Sequence, residues 1–340
     1  MNKQFGAIAT LVAAFAATAG LLASTSSGRA DTPRTLGLIV PGPGSPIADQ
    51  VENGGKSAAA ALGDQLAITV ASDAPTQIST IKSLIRQHAA AIVVDTDQGV
   101  ATVKAVLPAL ARARAAGIPT LSFYARYPGS VWVNDSSPSQ FAHALADALA
   151  SQMKQRGQFM IVPCRPAEAI VGTWLKETKP YIQRRYPRMR RVGVVYGGLG
   201  NGPAGTLVLR PLLRKHPHLR GFDFLCPSES YTGPPQLVRA HKVGKIFTVG
   251  NSGGCPPLDT PLAKSVSDGA TEIVCGGDPT NLGYLTIWAA DHLAAGQTLV
   301  PGAYDVGGPV GTVRYYSHNQ ELRLGRPLTI TKANLAQYVG

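Results

Sequence analysis

The chain has 340 residues, of which 44% are hydrophobic and 15% are charged, so it can bury a full core and form one or two domains. This composition excludes an intrinsically disordered chain, a collagen and a coiled coil. The formal net charge of +12 favours an anionic ligand, an anionic membrane surface or a nucleic acid as a partner.

Residues 1–30 differ from the rest of the chain. Lys3 lies near a polar start, residues 6–23 are uncharged and largely apolar, and residues 24–30 are polar and end in Gly-Arg-Ala. This is the pattern of a secretory signal peptide, with cleavage expected before Asp31 and export to the periplasm. An uncleaved N-terminal anchor is the alternative. After residue 30 no apolar run reaches the roughly 18 to 20 residues that a membrane-spanning helix needs.

Short apolar runs alternate with amphipathic ones after Asp31, which predicts a parallel sheet with right-handed crossovers. The predicted strands are 36–40, 66–71, 91–94, 120–123 and 131–134. The predicted helices between them are 48–62, 76–88 and 100–116, the last ending at Gly117 before Pro119.

The same rhythm then starts again, which predicts a second α/β unit. Its predicted strands are 159–163, 192–196, 222–226, 246–249 and 272–275, and its predicted helices are 170–186, 205–215, 235–243 and 261–268. A further helix is predicted at 281–296, strands at 304–306 and 310–316, and a short helix at 332–337. Two parallel sheets of this kind predict two Rossmann-like lobes, with a ligand cleft at the carboxyl ends of the strands.

A glycine-rich segment, Gly200 to Gly205, matches the G-x-G-x-x-G pattern of dinucleotide-binding loops between a strand and a helix. An exported NAD-dependent oxidoreductase is therefore an alternative function. Pro203 removes an amide that would face a pyrophosphate, and no acidic residue ends the next strand. A flexible cleft loop is the simpler interpretation, and no cofactor is expected.

The sequence lacks the common motifs of catalysis and metal binding. The seven histidines form no H-E-x-x-H pattern, the cysteines form no C-x-x-C pair, and there is no G-x-S-x-G nucleophile elbow. We therefore expect neither a catalytic site nor a metal site.

The four cysteines all follow strands of the second unit. With the common strand order 2-1-3-4-5, the feasible disulfides are Cys164 with Cys226 and Cys255 with Cys275. Free buried thiols and a thiolate metal site are the alternatives.

The densest basic run contains five arginines between positions 184 and 191. It follows a predicted helix, so most of it is interpreted as a solvated helix C-terminus whose cations complement the helix dipole. Docking onto a membrane partner is a second use for this surface. No aromatic platform accompanies the run, and a nucleic-acid partner is not expected.

Several segments resemble a known family. The segments 91–97 (AIVVDTD) and 107–119 (LPALARARAAGIP) resemble the first lobe of the periplasmic sugar-binding proteins of ABC transporters. The segments 278–290 (DPTNLGYLTIWAA) and 315–325 (YYSHNQELRLG) resemble the rhamnose-type and autoinducer-2-type branch of that group. Sugar-responsive repressors share the first-lobe pattern, but a repressor would need a helix-turn-helix where this chain has the predicted signal peptide.

The resemblance implies two lobes joined by three chain crossings: lobe 1 from residues 31–134 and 280–308, and lobe 2 from 135–279 and 309–340. It also implies a monomer that closes on a small polar solute and delivers it to an inner-membrane permease; a membrane receptor that reads the closed form is an alternative partner. Carboxylates and amides would bind sugar hydroxyls, and an aromatic ring would lie under the apolar sugar face. The expected polar ligands are Asp95, Asp97, Asn134, Asp135, Asn251 and Asp278, and the expected rings are Phe123, Tyr124 and Trp174, with Pro227 lining the site.

The chain also departs from this family. Where the family has Asp-Ser-Asp after an aromatic residue, the sequence reads Phe123-Tyr124-Ala125-Arg126, and the family's acidic residue near Trp174 is absent. The lysine of the autoinducer-2 binders is replaced near Pro41, so autoinducer-2 is not the expected ligand. If Arg126 faces the cleft it favours an anionic solute such as a sugar acid; a surface arginine at the lobe edge is the alternative. A pocket reshaped for an apolar ligand is a further alternative.

Overall fold

A computed structural model describes residues 33–41, 46–95, 100–164, 169–197, 209–253 and 257–339, and the segment Pro33–Gly340 forms one compact unit. The predicted signal peptide and the glycine-rich segment from Gly200 to Gly205 lie outside the described residues. Among the described residues, no helix has the length and apolar character needed to cross a membrane.

The first sheet has the strand order β11-β12-β13-β5-β4-β3-β1-β2. Its strands are β1 (Thr35–Val40), β2 (Gln65–Val70), β3 (Ala91–Asp95), β4 (Thr120–Phe123), β5 (Val131–Asn134), β11 (Gly302–Asp305), β12 (Thr312–Tyr316) and β13 (Glu321–Arg323). Strands β1 to β5 run parallel, while β11, β12 and β13 pair antiparallel with one another. Four helices cover this sheet: α1 (Pro46–Leu62), α2 (Ala74–Arg86), α3 (Val100–Ala115) and α9 (Pro279–Ala294).

The second sheet has the order β14-β10-β9-β8-β6-β7. Its strands are β6 (Gly157–Val162), β7 (Met189–Val194), β8 (Leu219–Phe224), β9 (Phe247–Asn251), β10 (Glu272–Cys275) and β14 (Leu328–Ile330), the last antiparallel at the edge. Its helices are α4 (Pro138–Gln152), α5 (Ala169–Arg185), α6 (Leu209–Lys215), α7 (Pro227–Arg239) and α8 (Thr260–Ser267), and a 3₁₀ helix spans Leu335–Gln337. Each unit has its first five strands in the order 2-1-3-4-5, which was expected for the second unit, and the predicted fold of two α/β lobes is confirmed.

The chain passes between the two sheets three times within the described residues. It leaves β5 for α4, which packs on the second sheet; it returns from β10 to α9, which packs on the first; and it runs from β13 to β14. The three connecting segments are 134–138, 275–279 and 323–328. Together they form what we call the hinge.

The C-terminal segment differs from the predicted division into lobes. Residues 309–340 were assigned to lobe 2, but β12 and β13 belong to the first sheet and only β14 belongs to the second. The physical reason is pairing: β12 forms a hairpin with β11, and β13 adds to the free edge of β5.

Several helices begin with the same local signal. A side chain accepts a hydrogen bond from the first turn, and a proline follows at the first or second helical position: Asp73 caps α2, Ser137 caps α4, Asp259 caps α8 and Asp278 caps α9. A cap satisfies an amide that the helix leaves unpaired, and proline at the first helical positions loses no hydrogen bond. These caps place the helix N-termini beside the carboxyl ends of the preceding strands.

Candidate functional site

A cavity of about 740 Å³ lies between the two lobes, beside the hinge. We call it the interlobe cavity. It is lined by residues of the first lobe and by the start of α4 and one face of α5 from the second. The lining residues are Tyr124, Ala125, Arg126, Trp132, Ser137, Pro138, Ser139, Gln140, Thr173, Glu177, Tyr316, His318, Asn319, Glu321 and Arg323.

The segment after β4 contributes an aromatic ring and a cation to this cavity. Tyr124 is half-buried and has a left-handed backbone conformation with φ of 55°, and its carbonyl accepts a hydrogen bond of 3.2 Å from the Trp132 indole. Such a conformation is costly for a residue with a side chain and persists where the surroundings enforce it. Arg126 is exposed and also lines the cavity. Both residues therefore lie where a bound solute would reach them.

Phe123, which the sequence placed in the site, lies in the core of the first lobe instead. Its side chain has no exposed surface, and its ring centroid is 5.5 Å from that of Tyr124. The difference arises because Phe123 ends β4 and points to the sheet face that α1 and α9 cover. Tyr124 is thus the aromatic ring that the cavity receives from this strand.

Asn134 is the last residue of β5, and its side chain forms hydrogen bonds with residues in and beside the hinge. Its amide donates to the Ser136 carbonyl at 2.6 Å and to Glu321 Oε1 at 3.1 Å. The fully buried Glu321 also accepts from Arg323, at 2.7 and 3.1 Å, and from Asn319 at 2.7 Å. Burial opposes ionisation of Glu321, but these hydrogen bonds outweigh it and hold the pKa of its carboxyl below the usual value. The predicted ligand Asn134 is therefore engaged in the hinge.

Asp135 occupies the first hinge segment and lies against the second. One of its oxygens accepts from the Ser136 amide at 2.6 Å, and a Cβ atom added to Gly276 or Gly277 would overlap its side chain. Burial, with a smaller contribution from the nearby Glu321, raises the pKa of Asp135 to about 6 against the opposing effect of backbone hydrogen bonds. This carboxyl therefore lies where the first two hinge segments pack directly against each other.

The predicted ligands of the second lobe also have structural partners. Asn251, nearly buried at the end of β9, donates to the Leu225 carbonyl at 3.1 Å and accepts from the Gly253 amide at 2.8 Å. Asp278 is half-buried and caps α9 through the Thr280 amide at 2.8 Å. Both side chains lie at the carboxyl ends of strands, as expected, and both hold local backbone in place.

Two further predicted residues lie on helices of the second lobe. Trp174 is half-buried on α5 with its ring 4.6 Å from that of Phe141, and its neighbour Thr173 lines the interlobe cavity. Pro227 is half-buried and begins α7. Asp95 is the last residue of β3, but its side chain lies outside the described residues, as does Asp97 altogether.

The cavity also contains residues that the sequence analysis missed. Gln140, Glu177, His318 and Arg323 line it, and the Arg323 guanidinium lies 4.2 Å from the centroid of the Tyr316 ring. These side chains come from three separate segments of the chain, so no spacing within one segment predicts that they lie together. The sequence signal for them is the segment 315–325, which resembles the sugar-binding branch and contains His318 and Arg323.

One predicted disulfide is present. Cys164 and Cys226 are bonded, with their Cα atoms 4.7 Å apart, and they join the carboxyl ends of the neighbouring strands β6 and β8. Cys275, buried at the end of β10, is also disulfide-bonded, and its predicted partner Cys255 lies outside the described residues. Among the described residues, no three His, Cys, Asp or Glu side chains are grouped as metal ligands would be.

The comparison with known proteins agrees with this architecture. Residues 36–298 match the family model of the periplasmic binding protein domain. A solute-binding protein of an ABC transporter from Clostridium phytofermentas, solved with bound L-rhamnose, is 21% identical, has a TM-score of 0.71 and covers 90% of this chain and 98% of its own. A sugar ABC transporter protein from Actinomyces odontolyticus is 23% identical over 90% of this chain and 98% of its own, with a TM-score of 0.73. LsrB from Clostridium saccharobutylicum, solved with AI-2, is 16% identical with a TM-score of 0.70, covering 90% of this chain and all of its own.

Two α/β lobes, three crossings and a cavity between the lobes define the class of two-lobed binding proteins. The match over most of the chain identifies the family within that class. The chain belongs to the periplasmic binding protein family, with the type I fold.

Proposed function

We propose that the protein is the solute-binding component of an ABC importer, which captures a sugar or sugar-like solute between its lobes and delivers it to a permease. The observation that carries the proposal is the interlobe cavity, which lies beside the hinge and receives polar side chains from both lobes. A solute that contacts both lobes favours their closed arrangement, and closure is a signal that a membrane partner reads. The similar structures solved with L-rhamnose and with AI-2 support a small polar ligand.

We further propose that the preferred solute carries a carboxylate or phosphate. Arg126 lines the cavity and has an exposed guanidinium, whereas Arg323 is held by Glu321. A guanidinium recognises a carboxylate through two parallel hydrogen bonds, which a neutral sugar cannot match. Glu177, on the opposite wall, suits the hydroxyl groups of the same solute.

A thermal-shift panel tests the proposal. The chain from residue 31 is measured with neutral sugars, sugar acids, phosphosugars, apolar solutes and NAD. A solute at 1,000 times its dissociation constant stabilises by about 4 kcal/mol. Stabilisation by one class of polar solute supports a binding protein; stabilisation by NAD alone contradicts it. The exported oxidoreductase is not favoured, since the family found for the chain is one of binding proteins.

Two variants then locate the site, using the solute that the panel selects. Arg126→Gln should weaken a sugar acid at least tenfold and leave a neutral sugar unchanged, as measured by calorimetry. Asp278→Asn keeps an oxygen that caps α9 and removes the charge, so it separates a ligand role from the cap. Full affinity in both variants would place the solute elsewhere.

A further inference from the structure

The outer end of the second lobe carries an unusual concentration of positive charge. Strands β6 to β10 run parallel, so their amino ends share one edge, opposite the carboxyl ends that face the cleft. Twelve lysines and arginines lie at this edge, at the ends of the helices that precede the strands, in the turns between them, and at the second residues of β7 and β8. They are Lys154, Arg156, Arg184, Arg185, Arg188, Arg190, Arg214, Lys215, Arg220, Arg239, Lys242 and Lys245, which we call the basic pole.

The side chains of the basic pole are exposed to solvent and form no salt bridges within the described part of the chain. The exception to this exposure is Arg220, which is half-buried with its guanidinium 5.5 Å from the centroid of the Phe247 ring. The carboxylates near this edge in the described part of the chain include Asp268, which pairs with Lys264, the half-buried Glu272, and Asp147, which accepts from the Tyr181 and Tyr186 hydroxyls at 2.8 and 2.7 Å. The pole therefore holds much of the positive charge of a chain whose net charge is +12.

The first lobe provides an internal comparison. It has the same strand order, but its corresponding edge carries fewer cations. Arg34 pairs with Asp291 at 2.6 Å, Arg114 donates to Thr120 and Ser130, and Arg86 and Arg112 are exposed at the ends of α2 and α3. The helices of the first lobe end at this edge with fewer cations, so the helix dipoles alone do not account for twelve cations on the second lobe. The excess on the second lobe calls for an anionic partner.

We propose that the basic pole docks the protein on a bilayer surface that carries anionic phospholipid headgroups. Neighbouring strands are about 4.8 Å apart, so five strands spread the charges over roughly 20 Å, and their fields overlap at a Debye length of about 8 Å. The charges lie on separate segments of the chain, and the nearby Phe247 ring is half-buried, so it offers the bases of a nucleic acid little surface for stacking. A fluid array of headgroups requires no fixed geometry, and each basic side chain near it adds to the attraction. The cleft lies at the opposite strand ends and stays open to solute.

Vesicle co-sedimentation tests this proposal with the chain from residue 31, because Pro33–Gly340 is a compact unit of its own. The probes are vesicles of phosphatidylcholine with a quarter phosphatidylglycerol, and vesicles of phosphatidylcholine alone. We expect binding to the anionic vesicles at 150 mM salt, at least tenfold weaker binding to the neutral ones, and loss of binding at 500 mM salt.

The decisive comparison uses two variants with the same change in net charge. The pole variant carries Arg156→Glu, Arg188→Glu, Lys215→Glu and Lys245→Glu, one residue from each of the segments that precede the strands β6, β7, β8 and β9. The control variant carries Lys82→Glu, Arg86→Glu, Lys104→Glu and Arg112→Glu, all exposed on α2 and α3 of the first lobe. We expect at least a tenfold loss of vesicle affinity in the pole variant and less than threefold in the control.

Three outcomes would overturn the proposal. They are an equal loss in both variants, tighter binding to duplex DNA than to vesicles at equal phosphate concentration, and no vesicle binding at 150 mM salt. If a charge reversal unfolds the protein, the same comparison is made with glutamine in place of glutamate at the four pole positions and at the four control positions. Both glutamine variants are first checked for an unchanged melting temperature. The assay contains no solute, so its outcome is independent of the function proposed for the cleft.

Discussion

Asp223 is a fully buried carboxyl at the centre of the second sheet. Its neighbours across the sheet are Ile161 and Val249, both in the apolar core, and neither of its oxygens has a hydrogen-bond partner in the described part of the chain. Burial alone raises the pKa of Asp223 to about 7. The native state therefore holds this proton at pH values where the unfolded chain, with its ordinary pKa, has lost it.

The sign of the pH dependence follows from this difference. Below the pKa of the unfolded state, Asp223 is protonated in both states and its ionisation does not change the free energy of unfolding. As the pH rises from there toward 7, only the unfolded state releases the proton, so the free energy of unfolding falls. Above pH 7 both states are ionised and the loss levels off. Asp223→Asn cannot ionise, so its free energy of unfolding relative to wild type should rise by about 3 kcal/mol between pH 5 and pH 8. Urea unfolding at several pH values measures it. Asp49→Asn, at an exposed position, is the control, and a pH-independent difference for Asp223→Asn would refute the interpretation.

At the scale of elements, α1 and α9 cross at glycines. A Cβ atom on Gly54 would overlap the Thr280 carbonyl, and one on Gly283 would overlap the Val51 carbonyl, so both clashes involve backbone that cannot rotate away. We expect Gly54→Ala to destabilise the protein by about 2 kcal/mol, because overpacking of this kind displaces a helix. Gly172→Ala on α5 is a matched control: open space surrounds the position, and it should stabilise by about 0.5 to 1 kcal/mol. Equal effects in chemical unfolding would show that the crossing tolerates expansion.

The disulfide between Cys164 and Cys226 constrains the ends of two neighbouring strands. It spans 62 residues, and closing a loop of that length lowers the entropy of the unfolded chain enough to stabilise by about 4 kcal/mol. A variant with both residues changed to alanine should therefore have a free energy of unfolding lower by about 3 to 4 kcal/mol in guanidinium. The control is wild-type protein kept oxidised and unfolded in parallel. An equal free energy of unfolding in the variant and in the wild type would mean that packing alone holds these strand ends.

The sequence predicted the elements whose signals are local. Alternation of strands and helices gave both lobes, and the common strand order gave the neighbours that Cys164 and Cys226 join. Helix α7 was predicted to begin at Pro235, but Pro234 and Pro235 lie inside a helix that starts at Pro227. Helix α4 was missed although Ser137 and Pro138 mark its start.

The site was harder to predict because its geometry depends on distant contacts. Asn134 was expected to bind a ligand, but its partner Glu321 is 187 residues away, and no spacing in the sequence indicates that bond. Arg323 likewise reaches the cavity through β13, a three-residue strand without a periodic pattern. Proximity to a strand end selected the correct region of the molecule; which side chains remain available for a solute is decided by packing between the lobes.

At the scale of the whole molecule, the three hinge segments constrain how the lobes move. Each lobe has its own apolar cores, and the chain connects the two sheets only through short segments, so rigid rotation of one lobe against the other is the motion that keeps both cores intact. We expect the solute selected by the panel to reduce the radius of gyration measured by small-angle X-ray scattering. The pole variant should close to the same extent, because its substitutions lie at the far end of the second lobe, whereas Arg126→Gln should need a higher concentration of an anionic solute to reach the same compact state. Tight binding with an unchanged radius of gyration would contradict closure and would assign recognition to one lobe alone.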